Sequence, residues 1–467
     1  MNSMMTLGSA VPWLNHCRLV GDGDVVVQRV HTDTRTIEPG DLFVALQGER
    51  YDANAFLADA HSRGAAAAIC QTGLDPSSYP AGLPRIEVAD TRIALGELAA
   101  GWRAQFDLPL IAVTGSNGKT TVTQMIASIL QAFAGDAALA TRGNLNNDIG
   151  VPLTLLRLRA AHRIAVVELG MNHVGEIATL AAMAQPTVAL VNNAQREHLE
   201  FMKTIEAVAQ ENGSVISALA QDGVAVFPQD DTYTPVWRNL SGPRRTVEFA
   251  VHNAMQADVA VLSADWAQGA WQVHARAREG GFGFALHIAG RHNVKNAMAA
   301  AGCALAAGVP LDSVVQGLEQ FVPVKGRSRA LTVTLQGKSY TVVDDTYNAN
   351  PDSVRAAIEV LAELPAPRLL VLGDMGEVGE QGPQFHTETG RYAKALGIEH
   401  FFATGKLAQS AVTAFEGGAH FSDVDALNAA VSAVLPQVQS VLVKGSRFMR
   451  MERVVEALVA REASHAA

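Results

Sequence analysis

A chain of 467 residues exceeds what one hydrophobic core usually serves, so two to three domains of about 100–200 residues are expected, with room for a large enclosed site. Apolar residues at 48% and charged ones at 18% exclude a disordered chain, and no apolar run reaches the roughly 18 residues that would span a bilayer. The net charge of −10 is spread without a basic run, which argues against a nucleic-acid surface but leaves room for a local basic pocket that takes a phosphorylated small molecule.

The first twenty residues hold polar and charged breaks at Asn15, His16 and Arg18 where a signal peptide would be apolar, so the protein is expected to stay in the cytoplasm. Cys17, Cys70 and Cys303 are widely separated and form no C-x-x-C pair, which reads as ordinary thiols and neither a disulfide framework nor a zinc site. No repeat of fixed period occurs. A β-branched run at 25–27, turn chemistry at 38–41 (E-P-G-D) and a strand-like 42–46 predict a small α/β domain over residues 1–107. From 108 to 322, continuous apolar runs at 110–113, 164–167 and 188–191 alternate with polar loops and helical stretches. That is the pattern of a doubly wound parallel sheet covered on both faces. Alternation at 271–275 and 282–286 predicts an antiparallel addition between about 247 and 289, followed by a helix over 293–307. After a linker-like V-P-V-K-G at 322–326, strand and helix alternate again at 340–343, 353–364, 369–372 and 441–443, with a last helix from 451. Residues 323–467 are therefore predicted to form a third, Rossmann-like α/β domain.

Ligands of such sheets sit beyond the carboxyl ends of the strands, so polar residues directly after the apolar runs carry the functional expectations. After 110–113 comes Thr114-Gly115-Ser116-Asn117-Gly118-Lys119-Thr120-Thr121, then a helical 122–133. Glycines let backbone N–H groups turn toward phosphate oxygens, the helix N-terminus adds positive potential, Lys119 reaches the β and γ phosphates, and Thr120 can ligate Mg²⁺. Val113 stands where the usual phosphate-loop pattern has its first glycine, so a polar strand-to-helix turn is the alternative. Glu168 follows 164–167 at the same edge, as a magnesium-shell carboxylate or, equally, a capping acid. His198 stands just past 188–191 and the polar Asn192-Asn193; a lone histidine is more often a structural hydrogen-bonding group. The amide-dense T-R-G-N-L-N-N-D-I-G-V-P at 141–152 suits a polar substrate or simply Asx turns, and no regular core element is expected there. Asp344-Asp345 and Gly373-Asp374 repeat the acid at a strand end, with helix capping as the other reading.

Together these segments resemble the Mur ligase family of peptidoglycan precursor synthesis over nearly the whole chain. T-G-S-N-G-K-T-T at 114–121 is similar to that family's shortened phosphate loop, which accounts for Val113. G-N-L-N-N-D-I-G-V-P at 143–152, E-L-G-M-N-H at 168–173 and V-N-N with H-L-E within 191–200 look like the member that acts last. So do D-D-T-Y-N-A-N-P at 344–351, G-D-M-G-E at 373–377 and K-G-S-R at 444–447. The resemblance implies a cytoplasmic, ATP- and Mg²⁺-dependent ligase of cell-wall biogenesis, on whose product cell shape and division depend. Its substrates would be UDP-N-acetylmuramoyl-tripeptide and D-alanyl-D-alanine, joined through an acyl phosphate with release of ADP and phosphate. A monomer is expected, with neither nucleic acid nor membrane insertion.

Residue by residue, the resemblance implies Gly115, Ser116, Asn117, Gly118, Lys119, Thr120 and Thr121 around the phosphates. Asn293 and Asn296 would lie against the adenine, and Arg327 and Asp345 on the ribose or phosphates. Lys119, Glu168 and His198 carry the catalytic expectation, and Thr120, Glu168 and His198 the magnesium. In the first domain, D-T-R-T-I-E-P-G-D-L-F-V-A-L from Asp33 looks like a UDP-sugar segment, with Thr34 and Arg35 near the uridine end. Asn144, Asn146, Asn147, Tyr347, Asn348, Ser446 and Arg447 would face the substrates. One departure stands out: where family members commonly carry a lysine carbamate that helps hold a second magnesium, this chain has Asn212. Glu211, an ordered anion, or substrate and water would then supply what the carbamate supplies. The nearest rival is the neighbouring ligase that adds the third amino acid, whose D-N-P-R signature is missing here; a phosphate-loop kinase or ATPase and a catalytically silent precursor sensor are rivals of other classes.

Overall fold

The computed structural model describes residues 3–48, 51–252, 256–335 and 337–465. Strands gather into three sheets that follow one another along the chain, besides a two-stranded pair of Met5–Thr6 with Val26–Val27. The first sheet runs Arg18–Val20, Arg85–Val88, Ala67–Gln71, Asp41–Val44 and Arg29–His31, parallel except at its first pair. Helix Thr91–Arg103 then carries this unit onto the next. It starts where Asp90 accepts from the N–H groups of Arg92 and Ile93, and near its end Trp102 Nε1 donates to Leu158 O at 3.1 Å and Arg103 Nε to Ala184 O at 3.0 Å. A single apolar cluster runs from Leu42 and Ile86 through Leu98 into Leu110, Val167 and Trp237, so the first two units share one core. Each fully buried leucine of that seam is worth about 1.5–3 kcal/mol of removed apolar surface.

The second sheet has nine strands, with Leu110–Thr114 between Ile164–Glu168 on one side and Val188–Val191 on the other. All three are parallel and buried along their length because helices cover both faces, which is why they read as unbroken apolar runs. Their ends lie level: Val113 stands opposite Glu168, and Thr114 opposite Val191. The chain departs to opposite sides of Leu110–Thr114, so the loop after this strand opens into the crevice where strand order reverses. The antiparallel addition is shorter than expected. Arg245–Ala250 continues the parallel run, and only Val259–Ala267, Ala270–Ala277 and Gly280–Leu286 form the meander. Regular structure also enters the amide-dense segment, because Asn147 Oδ1 accepts from Gly150 N at 2.9 Å and starts a short helix, Gly150–Leu155. Pro152 is tolerated there because a first-turn N–H has no helical partner to lose.

The third sheet runs Arg329–Leu335, Lys338–Asp345, Ser440–Lys444, Arg368–Leu372, His400–Thr404 and Ala419–Phe421, parallel apart from its first, edge strand. Asp345 and Lys444 are register partners at its carboxyl edge, and that edge faces the crevice of the second sheet. Among the described residues no helix is long and apolar enough to cross a membrane. Cys70 and Cys303 are buried and Cys17 is half-buried; all three are free thiols.

Candidate active site

Gly115 at φ +130° and Gly118 at φ +81° make the turn from strand to helix, and neither tolerates a side chain. A Cβ on Gly115 would come within 3.0 Å of the Asn192 backbone nitrogen, and one on Gly118 within 2.7 Å of Asn296 Oδ1. The first N–H groups of the loop are spoken for: Gly115 donates to Asn212 Oδ1 at 2.8 Å, Ser116 to Asn193 O at 3.2 Å, and Asn117 to Asn193 Oδ1 at 2.9 Å. Among the described residues no protein acceptor takes the N–H groups of Gly118, Lys119, Thr120 or Thr121, which open the 16-residue helix Lys119–Ala134. Orphan donors and the helix dipole therefore coincide at 118–121, an arrangement that can cradle an anion.

Lys119 Nζ bonds Gly115 O at 2.6 Å, Ser116 O at 3.1 Å and Glu197 Oε1 at 2.7 Å. His198, at φ +49°, places Nε2 3.6 Å from Glu197 Oε1 and Nδ1 2.7 Å from Glu377 Oε2 on the third unit. The His198 ring holds the Glu377 carboxyl below its ordinary range. Opposite Lys119, the buried Glu168 accepts through Oε1 from Thr120 Oγ1 at 3.1 Å and from Asn146 Nδ2 at 2.7 Å, while its Oε2 has no partner. A buried carboxylate oxygen left unpaired beside a threonine hydroxyl is what a hard cation needs, so Thr120 and Glu168 fit Mg²⁺. His198 lines the same cleft; its Nε2 is too far from Glu197 for a hydrogen bond, and its buried Nδ1 has no hydrogen-bond partner among the described residues although Glu377 Oε2 lies 2.7 Å away.

The cleft encloses about 1650 Å³ and brings together every predicted site residue except Gly115, Thr34 and Arg35. Gly115 lies behind the loop, while Thr34 and Arg35 sit on the first unit's turn Thr34–Thr36, where Arg35 pairs with Asp33 at 2.6 Å. On the cleft wall Asn144 is exposed, Asn147 is used for its own turn, and Arg92 of the first unit pairs with Asp148. Arg327 lies over the Tyr347 ring at 3.9 Å. Asp345 takes the Ser328 N–H at 2.9 Å and Lys444 Nζ at 2.6 Å. Burial pushes the Asp345 carboxyl up, but Lys444, together with the Ser328 N–H and His292, outweighs it and the net shift is downward. Asn348 O accepts from Lys444, Arg447 pairs with Glu452, and the Ser446 hydroxyl bridges Gly376 N and Ala349 O. Asn293 and Asn296 are buried and bonded to each other, and Asn296 Oδ1 accepts from Asn192 Nδ2 at 3.0 Å.

At the departure from the family pattern, Asn212 is buried with both halves of its amide in use: Oδ1 on Gly115 N and Nδ2 on Val208 O at 3.1 Å. Glu211 does not supply a charge to the cleft. Its two oxygens take the N–H groups of Gly175 and Ile177 at the start of helix Glu176–Ala184. Replacing Asn212 by leucine, of similar volume, strands the buried Gly115 N–H and is expected to lower stability by about 1–3 kcal/mol. Denaturant unfolding of Asn212→Leu checks this, and an unchanged midpoint would refute it. Glu197, Asn350 and Glu377 are the groups that sequence reasoning passed over. Glu197 had one available signal, an acid immediately before His198 in a run that follows a strand end.

Three family models match in chain order: "Mur ligase family, catalytic domain" over residues 26–103, "Mur ligase middle domain" over 113–304 and "Mur ligase, glutamate ligase domain" over 329–447. The UDP-N-acetylmuramoyl-tripeptide--D-alanyl-D-alanine ligase of Escherichia coli is 40% identical over 93% of this chain and 94% of its own length. The chain belongs to the Mur ligase family. The enzyme of the same name in Bacillus subtilis is 33% identical over 93% of both chains. A crystal structure of MurF from Acinetobacter baumannii superposes on this Mur ligase with a TM-score of 0.85 at 37% identity, covering 93% of this chain and 94% of that one. MurF ligase from Thermotoga maritima in complex with ADP gives 0.81 at 25% identity, covering 93% and 98%.

Proposed function

We propose that this Mur ligase joins D-alanyl-D-alanine to UDP-N-acetylmuramoyl-tripeptide at the expense of ATP, in the cytoplasm and as a monomer. The observation that carries the reading is the pairing of the donor cradle 118–121 with the unpartnered Glu168 oxygen in one cleft, in a chain whose relatives over 93% of its length carry that activity in their names. Residues 1–107 would hold the UDP-sugar end, 108–322 the nucleotide, and 323–467 close over the nucleotide and help hold the dipeptide.

An amine cannot displace oxide from a carboxylate, so the tripeptide carboxylate first attacks the γ-phosphorus and the bond to the ADP oxygen breaks. The dipeptide amine then attacks the acyl carbon, phosphate leaves, and the amine proton passes to solvent. The N–H groups of 118–121 bind the phosphate chain, and Lys119 exchanges Glu197 for a phosphate oxygen, neutralising charge that spreads over the transferred group. Thr120 and Glu168 would hold magnesium, which when bound shields the same charge as a Lewis acid. The walls of the cleft fix the reacting groups, and positioning supplies much of the remaining acceleration.

The test is phosphate release by the purified protein with magnesium and ATP. Release is expected only when UDP-muramoyl-tripeptide and D-alanyl-D-alanine are both present. Equal release with either one omitted would sink the ligase reading, and preference for a single amino acid over the dipeptide would favour the neighbouring ligase of the series.

A further inference from the structure

Asn117 is the most heavily bonded residue of the phosphate loop, and one of its partners comes from the third unit. Its backbone is pinned by Asn192 and Asn193, and its side-chain Nδ2 donates to Gln195 Oε1 at 2.6 Å. The Asn350 amide faces it: Asn350 Nδ2 donates to Asn117 Oδ1 at 2.9 Å, and Asn117 Nδ2 lies 3.4 Å from Asn350 Oδ1. Asn350 is the N-cap of helix Pro351–Glu363, where it forms a reciprocal capping box with Ser353. Two residues on, Asp352 takes the Arg196 N–H at 2.8 Å and its guanidinium at 2.7 and 3.0 Å. Arg196 also reaches Glu388 at 3.1 Å and stands over the Phe385 ring at 5.3 Å.

The first turn of this helix is thus fastened to the middle of the chain at two points. The Arg196 fork is a general seat, but the Asn350 contact lands on the residue immediately before the donor cradle. We infer that Asn350 is a positioning residue for the nucleotide: through Asn117 it fixes the phosphate loop, so that seating of the third unit raises nucleotide affinity. The inference rests on the reading of 118–121 as the phosphate cradle. A rival account makes Asn350 a helix cap and nothing more. Serine separates the two, because its hydroxyl serves as N-cap but is too short to make an amide pair with Asn117.

In the full-length chain, Asn350→Ser is expected to weaken magnesium-ADP binding about fivefold by calorimetry, the scale of one lost hydrogen bond. KM for ATP should rise by a similar factor, with KM for the muramoyl peptide and the thermal midpoint unchanged. In a double-mutant cycle with Asn117→Ser, the paired loss should be smaller than the sum of the single losses. Wild-type ADP affinity in Asn350→Ser, or additive losses in the cycle, would overturn the inference while leaving the nucleotide reading intact. Failure of the wild-type chain to bind ADP would remove both.

Discussion

Replacing Lys119 by alanine is expected to lower kcat by about 10²–10³-fold, because the cation that bonds within the phosphate loop is then lost from the transferring phosphoryl. The substitution has a second, separable effect. Lys119 and Glu197 form a pair whose side chains are only 13% and 10% exposed, and removing the lysine leaves Glu197 buried without its cation, with the His198 ring 3.6 Å away. Stability should fall by up to about 3 kcal/mol, the low end for breaking a buried pair from one side. Adding Glu197→Gln should restore the unfolding midpoint without restoring turnover. Recovery of activity in the double variant would show that Lys119 serves to neutralise Glu197 and not the nucleotide.

Glu168→Gln is expected to separate the two effects, costing activity while sparing the fold. The glutamine keeps the shape and an acceptor for Thr120 and Asn146, but it puts an amide in place of the carboxyl oxygen Oε2, which is buried without a partner. Burying a neutral amide costs less than burying an unpaired carboxylate oxygen, so the unfolding midpoint should hold or rise. Phosphate release should fall by on the order of 10²-fold, with the magnesium concentration needed for half-maximal rate moved upward. A variant with normal magnesium dependence would refute the assignment of Glu168 to the metal. Activity and stability pulling apart at one residue mark a site kept for chemistry at some cost to the fold.

What could be read from the sequence follows from how far apart the cooperating residues lie. The strand 110–113, its glycines and its helix are neighbours along the chain, so composition and order suffice, and Glu168 is found by the same strand-end rule. The division of labour inside the loop is not local. The N–H of Gly115 is consumed by Asn212, 97 residues away, and nothing near Gly115 foretells it. Asn350 finds Asn117 across 233 residues, and Asp352 finds Arg196 across 156, which no periodicity records. At Asn212 the sequence revealed the departure from the family pattern but not its use, and it left Glu211 as a candidate charge that the helix start at Gly175 in fact consumes. The antiparallel meander begins at Val259 and not near 247; Phe249 and Ala250 are buried strand residues whose pairing direction their own sequence does not specify.

The two seams between the units differ in what separation would expose. Parting the first unit from the second uncovers a shared apolar core reaching from Leu98 to Leu110 and Val167, a loss that water cannot make good. Parting the third uncovers chiefly amides and charges at Asn117, Arg196, His198, Asn350, Asp352 and Glu377, with Ala289 and Leu199 as apolar contacts. Each of those polar groups can be rehydrated as it leaves, so this boundary can open and reclose at small net cost. Such a chain would have a fixed jaw and a moving one: the wettable boundary would open and close, while the dry seam would keep the first two units in register.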